Sequence, residues 1–166
     1  MKSIMKLAYA GAMGMVLLST TSIEVKAADA TGNASATIQT AISISEDTAM
    51  DFATILADAA GDTITLTPVG GISAANTSTF SGSPAAGAFS ATGDASTAVT
   101  ISFSSGDVLS GPGTDMALGT FAHDAGGSPA FNGSGNLTFN VGAALTVNAS
   151  QTAGAYSGTY TVTVDY

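Results

Sequence analysis

The thirteen residues GAYSGTYTVTVDY, 154–166, constrain the fold more than any other stretch. Tyr160, Val162, Val164 and Tyr166 share one parity, and Thr159, Thr161, Thr163 and Asp165 share the other. Successive side chains of a strand point to opposite faces, so this is a strand with one buried face and one wet face. Tyr, Val and Thr also fit a pleated, half-buried surface well. A lone strand cannot satisfy its own ladder, so it needs partners elsewhere in the chain. Leu137, Phe139, Val141, Ala143, Leu145 and Val147 supply a second row, on one parity over eleven positions. Gly142 inside that row predicts a bend or bulge.

Other rows follow the same rule. In NASATIQTAISIS, 33–45, the residues Ala34, Ala36, Ile38, Ile42 and Ile44 share a parity, with Thr40 the one polar member. This predicts a long strand, closed by a turn at Glu46-Asp47. Ile64 and Leu66 alternate with Thr63 and Thr65 up to Pro68, which ends that strand or puts it at an edge. Val99, Ile101 and Phe103 alternate with Thr100 and Ser102, and Met116, Leu118 and Phe121 mark a further short strand. Turn signals recur about every 8–12 residues, as in an all-β sandwich or barrel. The apolar rows can bury a face, which separates this Gly- and Ser-rich chain from a disordered one.

Residues 1–27 have the pattern of a signal peptide. Lys2 and Lys6 precede the apolar run Leu7–Leu18, and Val25-Lys26-Ala27 offers small residues for cleavage before Ala28. The expectation is one domain over 28–166, exported to the periplasm, the cell surface or the medium. Lys2, Lys6 and Lys26 are the only basic residues, so the net charge of −9 becomes −11 once three lysines and Glu24 leave with the leader. A domain without Lys or Arg cannot neutralise phosphates, which excludes nucleic acid as a partner and disfavours anionic lipid. With no cysteine, no disulfide staples the exported fold.

The segments ATI…ISI…MDFATI and VGAALTVNASQTAGAYSGTYTVTVDY resemble the secreted bacterial family called domain of unknown function 4402. The closing Gly-x-Tyr-Ser-Gly-x-Tyr-x-Val-x-Val-x-Tyr is the most specific part of that resemblance. The same two ends are similar to the spore-coat U type of pilin-like subunits of chaperone–usher systems. That resemblance implies an immunoglobulin-like antiparallel β-sandwich lacking one strand, completed by the N-terminal strand of a neighbouring copy or by a periplasmic chaperone. The Cys that usually follows the N-terminal segment there is missing here. The resemblance makes Ala34, Ala36, Ile38, Ile42 and Ile44 a donor row, and Tyr160, Val162, Val164 and Tyr166 a groove or core strand. The other reading makes 34–45 the first strand of a sandwich complete in itself.

No constellation points to catalysis. His123 is the single histidine, no G-x-S-x-G elbow is present, and the position before Gly126-Gly127 reads as an exposed loop. Glu46, Asp47 and Asp51 lie close in sequence but do not form a calcium loop, and one His without Cys does not suit zinc. No cofactor is expected. The functional expectation is a secreted structural or surface protein that assembles by strand donation. A free-standing exported module binding a glycan or a protein is the alternative.

Overall fold

The computed structural model describes residues 26–166. Nearly all of the expected leader therefore lies outside the described residues. The chain divides into two compact units, Met1–Ala36 and Thr37–Tyr166. In the first, residues 26–36 are exposed and carry no regular secondary structure. The second is all-β, with eleven strands: β1 (Ser43–Thr48), β2 (Thr54–Leu56), β3 (Asp62–Leu66), β4 (Ile72–Ala74), β5 (Thr79–Ser81), β6 (Gly87–Thr92), β7 (Thr100–Phe103), β8 (Asp107–Leu109), β9 (Met116–His123), β10 (Asn136–Val147) and β11 (Val162–Asp165). Every pairing is antiparallel.

One layer is a seven-stranded sheet organised by β10. Residues Asn136–Val141 of β10 pair with β6, and Ala143–Val147 pair with β3. Both strands lie on the same edge, because β9 pairs with Val141–Leu145 and occupies the other. The handover falls at Gly142, where a Cβ would sit 2.2 Å from the Leu66 carbonyl oxygen. Only glycine lets the end of β3 pass that closely. The expected bend at this glycine is thus a change of partner, with a register shift against β9 at the same place.

That shift is a bulge in β9. Thr120 and Phe121 together oppose Ala143, and Thr120 adopts a positive φ of 49°. The extra residue flips the parity. Met116 and Leu118 face the core before the bulge, and Phe121 and His123 face it afterwards. The three-residue step from Leu118 to Phe121 is the trace of this bulge in the sequence.

The second layer consists of the ribbons β7–β11 and β2–β5. Two apolar clusters lie between the layers, and β10 feeds both. Ala143, Leu145 and Val147 pack with Ile64, Leu66, Met116, Leu118 and Phe52. Phe139 and Val141 pack with Phe89, Ala91, Val99, Phe131 and Val164. Met50, Phe121 and Tyr160 touch both clusters. The fold is the expected antiparallel β-sandwich.

Two local expectations need correction. The long strand over 33–45 does not form, and pairing starts only at Ser43. The Thr40 N–H and C=O are held by the Asp94 carboxylate and the Tyr166 hydroxyl, so they do not enter a ladder. Glu46-Asp47 is not a turn but part of β1, where an irregularity between Glu46 and Thr48 absorbs Asp47. The Ser90 hydroxyl donates to the Asp47 carboxylate there.

Gly142→Ala should test the handover. Its methyl group must displace backbone, so the denaturant midpoint should drop by an amount equivalent to about 3 kcal/mol. A midpoint like that of the unmodified protein would show that β3 does not need the close approach.

Candidate functional site

The open side of the sandwich between β1 and β11 is the candidate site. Among the described residues β1 pairs only with β6 and β11 only with β7, so each leaves one edge unpaired there. Thr40, just before β1, meets Tyr166, just after β11. The Tyr166 hydroxyl donates to the Thr40 carbonyl at 2.6 Å, and the Glu46 charge acts on the Tyr160 hydroxyl. The two strands belong to different sheets, and the Thr40–Tyr166 bond joins them at one end. β7 lies on the other flank, with Phe103 against Phe121 and His123 of β9.

Six rings close the interior behind this opening. Centroid separations run Tyr160–Phe121 5.2 Å, Phe121–Phe103 5.3 Å, Phe103–His123 6.1 Å, His123–Phe139 6.4 Å, Phe139–Phe89 5.7 Å and Phe89–Tyr160 6.2 Å. These are the distances at which offset and edge-to-face pairs attract. His123 is part of this circuit and not an exposed loop residue. Among the described residues its Nδ1 and the Tyr160 hydroxyl are buried without hydrogen-bond partners. Burial, reinforced by Glu46, pushes the Tyr160 hydroxyl up to about 12. It stays protonated at any physiological pH.

One end of the opening is fastened by a ring of three hydrogen bonds. The Thr40 N–H donates to Asp94 Oδ1 at 2.9 Å, the Asp94 N–H donates to the Tyr166 hydroxyl at 2.7 Å, and that hydroxyl donates to the Thr40 carbonyl. Thr40 holds the Asp94 carboxyl below the usual carboxylate range through its side chain and its N–H. Sequence reasoning missed this clasp, because Thr40 and Tyr166 are 126 positions apart and no local pattern links them.

The structure separates the expected donor row. Ala34, Ala36 and Ile38 are exposed and outside any strand, with Ile38 95% exposed. Ile42 is half-buried just before β1, and Ile44 lies within it at 37% exposure. Of the C-terminal row, Val164 is buried, Tyr160 and Val162 are half-buried, and Tyr166 is 38% exposed with its hydroxyl in the clasp.

The rest of the closing pattern also has defined work. The Tyr156 hydroxyl donates back to the Thr152 carbonyl at 2.8 Å and accepts from Gln151 Nε2. Its ring leaves no room for a Cβ at Gly111 or Gly113. Gly158 passes so close to β8 that a Cβ would meet the Val108 carbonyl at 2.0 Å.

Two further polar groupings fall outside the open side. Asp62 is buried at the start of β3. Burial pushes its carboxyl up, but bonds from the Ser78 side chain and the N–H groups of Asn76, Ser78 and Thr63 outweigh that and hold it low. Asp58 is lowered by the Thr77 hydroxyl and the Ala60 N–H. Asp124 accepts from Asn140 N at 2.6 Å and Nδ2 at 2.8 Å, beside a shallow depression of about 280 Å³ that also includes Asp47. These carboxylates are occupied in holding loops. Among the described residues no three His, Asp or Glu side chains come together as a metal site.

A family model covers residues 42–166. The chain belongs to the DUF4402 family, described as a domain of unknown function. Comparison with curated proteins and with solved structures gives no match. The matched span of this DUF4402 domain begins at Ile42, just after the clasp residue Thr40, and runs through the Tyr166 hydroxyl that closes it.

Two tyrosines should respond oppositely to loss of their hydroxyl. Tyr166→Phe opens the clasp and should cost about 1 kcal/mol of stability, with faster amide exchange at Thr40. Tyr160→Phe removes an unpaired buried hydroxyl and should be neutral or stabilising in the same thermal melts. The lowered carboxyls set the acid response. A group whose folded pKa lies below its ordinary value of about 3.9 contributes stability that is complete above that value and lost as pH falls through the folded pKa. Stability of the DUF4402 domain should therefore decline from about pH 5 downwards. Asp62→Asn should flatten that decline while lowering the neutral-pH melting temperature. An unchanged slope would remove Asp62 from the acid response.

Proposed function

We propose that this protein is exported and serves a structural, non-catalytic role at the cell surface, joining to copies of itself by strand addition. The observation that carries this reading is the open side between β1 and β11. Two free strand edges and the margin of an apolar cluster meet there. An extended segment docked on such an edge satisfies backbone groups and covers apolar side chains together. The residues before the clasp supply a segment of the right character, exposed and with Ile38 fully presented to solvent. A periplasmic chaperone strand is a second partner of the same chemistry.

Light scattering coupled to size-exclusion chromatography tests the reading. The protein beginning at Ala28 should form concentration-dependent oligomers. Deletion of residues 28–39, which spares Thr40 and β1, should leave a folded monomer, and a synthetic peptide of residues 28–42 should bind it. Monomers before and after deletion would instead favour a free-standing binding module.

A further inference from the structure

We propose that Asn132 is a site of self-modification: its side-chain amide closes onto the backbone nitrogen of Gly133, loses ammonia and is left as a carboxylate. Nothing in this chemistry depends on assembly or on the open side.

Asn132 and Gly133 lie in the exposed loop between Phe131 and β10. Asn132 is the one asparagine in the chain followed by glycine, so no side chain shields the nitrogen that must attack. Its side-chain carbonyl accepts two backbone N–H groups, from Ser134 at 2.9 Å and from Asn136 at 3.0 Å. The Ser134 bond closes an Asx turn, which folds the side-chain amide back toward the next peptide nitrogen. Both partners are donors, so the atom facing them is Oδ1, and Nδ2 points elsewhere. Among the described residues neither Asn132 Nδ2 nor the Gly133 N–H has a hydrogen-bond partner.

Three other asparagines have the opposite arrangement. Nδ2 of Asn76 donates to the Gly61 carbonyl, that of Asn140 to the Asp124 carboxylate, and that of Asn148 to the Asp115 carbonyl. Their nitrogens are held, and the residues that follow them, Thr77, Val141 and Ala149, all carry a Cβ. Only at Asn132 is the carbonyl oxygen held by two donors while the nitrogen of the same amide is left to depart.

The reaction needs nothing but water. Solvent hydroxide takes the proton of the exposed Gly133 N–H, and the nitrogen attacks Asn132 Cγ. Negative charge develops on Oδ1, where the N–H groups of Ser134 and Asn136 already point, as donors do in an oxyanion hole. Collapse breaks the Cγ–Nδ2 bond, and the nitrogen leaves as ammonia with a proton from water. One water then opens the resulting imide. Cleavage of the new bond to Cγ gives aspartate, and cleavage of the old main-chain bond gives isoaspartate, with an extra carbon in the backbone.

The two products differ in what they spare. Aspartate keeps the oxygen that Ser134 and Asn136 bind. Isoaspartate shifts a backbone unit whose N–H donates to the Asn136 carbonyl and whose carbonyl accepts from Ser96 and Gly135. The Gly135 carbonyl in turn accepts from Gly93, the residue before Asp94 of the clasp. The isoaspartyl form therefore loosens the loop on which one side of the clasp is mounted.

Peptide mapping by mass spectrometry of the aged protein tests this, with a synthetic peptide of residues 126–140 aged beside it. A single oxyanion-hole donor is worth about 10²–10³ in rate inside a closed active site, so in this open loop the folded protein should convert about tenfold faster than the peptide. Conversion should also rise from neutral to alkaline pH. Conversion in the folded protein no faster than in the peptide would overturn the activation, and no conversion would remove the site. Gly133→Ala should fold normally, because a Cβ there meets nothing within 4 Å, and should lose most of the product. Undiminished conversion in that variant would rule out attack by the residue 133 nitrogen. In amide exchange, residues 93–96 should open faster in the isoaspartyl fraction than in the aspartyl one. Equal protection would sever this loop from the clasp.

Discussion

The sandwich depends on β10 being able to change neighbours at a single residue. One twelve-residue strand serves β6 with its first half and β3 with its second, while β9 runs along its other side. The change requires two segments of backbone to converge where no side chain fits, and Gly142 provides that space. Both apolar clusters are threaded on this strand, so the handover also joins what would otherwise be two small cores. A domain without disulfides relies on such continuity, because no covalent link compensates for a divided interior.

The aromatic circuit complements this arrangement from the opposite layer. Tyr160 and Phe103 reach across to rings from β6, β9 and β10, and Tyr160 and Phe121 touch both clusters. The β9 bulge makes the circuit feasible by turning Phe121 and His123 inward. Large rings contribute much buried area at a low cost in side-chain freedom. Among the described residues two side-chain polar atoms are left unpaired inside, at Tyr160 and His123. For Tyr160 the gain is a ring that bridges both clusters. Nothing in the structure explains why His123 is preferred to a hydrocarbon of similar size.

Period-two patterning made most of the fold legible. The rows at 137–147 and 160–164, the pair Ile64 and Leu66, and the row Val99 to Phe103 all face the interior as alternation implies. It failed where alternation is shared by strands and by chain that merely looks like one. Ala34, Ala36 and Ile38 have the right parity, but parity does not supply a partner. At Glu46-Asp47 the charged pair resembled a turn, because a bulge can admit an extra residue without breaking the strand. The open side was only half visible. Its β11 row was evident, whereas the Thr40–Asp94–Tyr166 clasp joins residues that only the finished fold brings together.

The clasp also fixes an origin for whatever precedes it. Ile38 stands only two residues before Thr40, so its Cα can be no more than about 7 Å from that fastened residue. The most exposed large apolar side chain among the described residues is therefore kept beside one end of the sandwich, whichever way the chain turns before it.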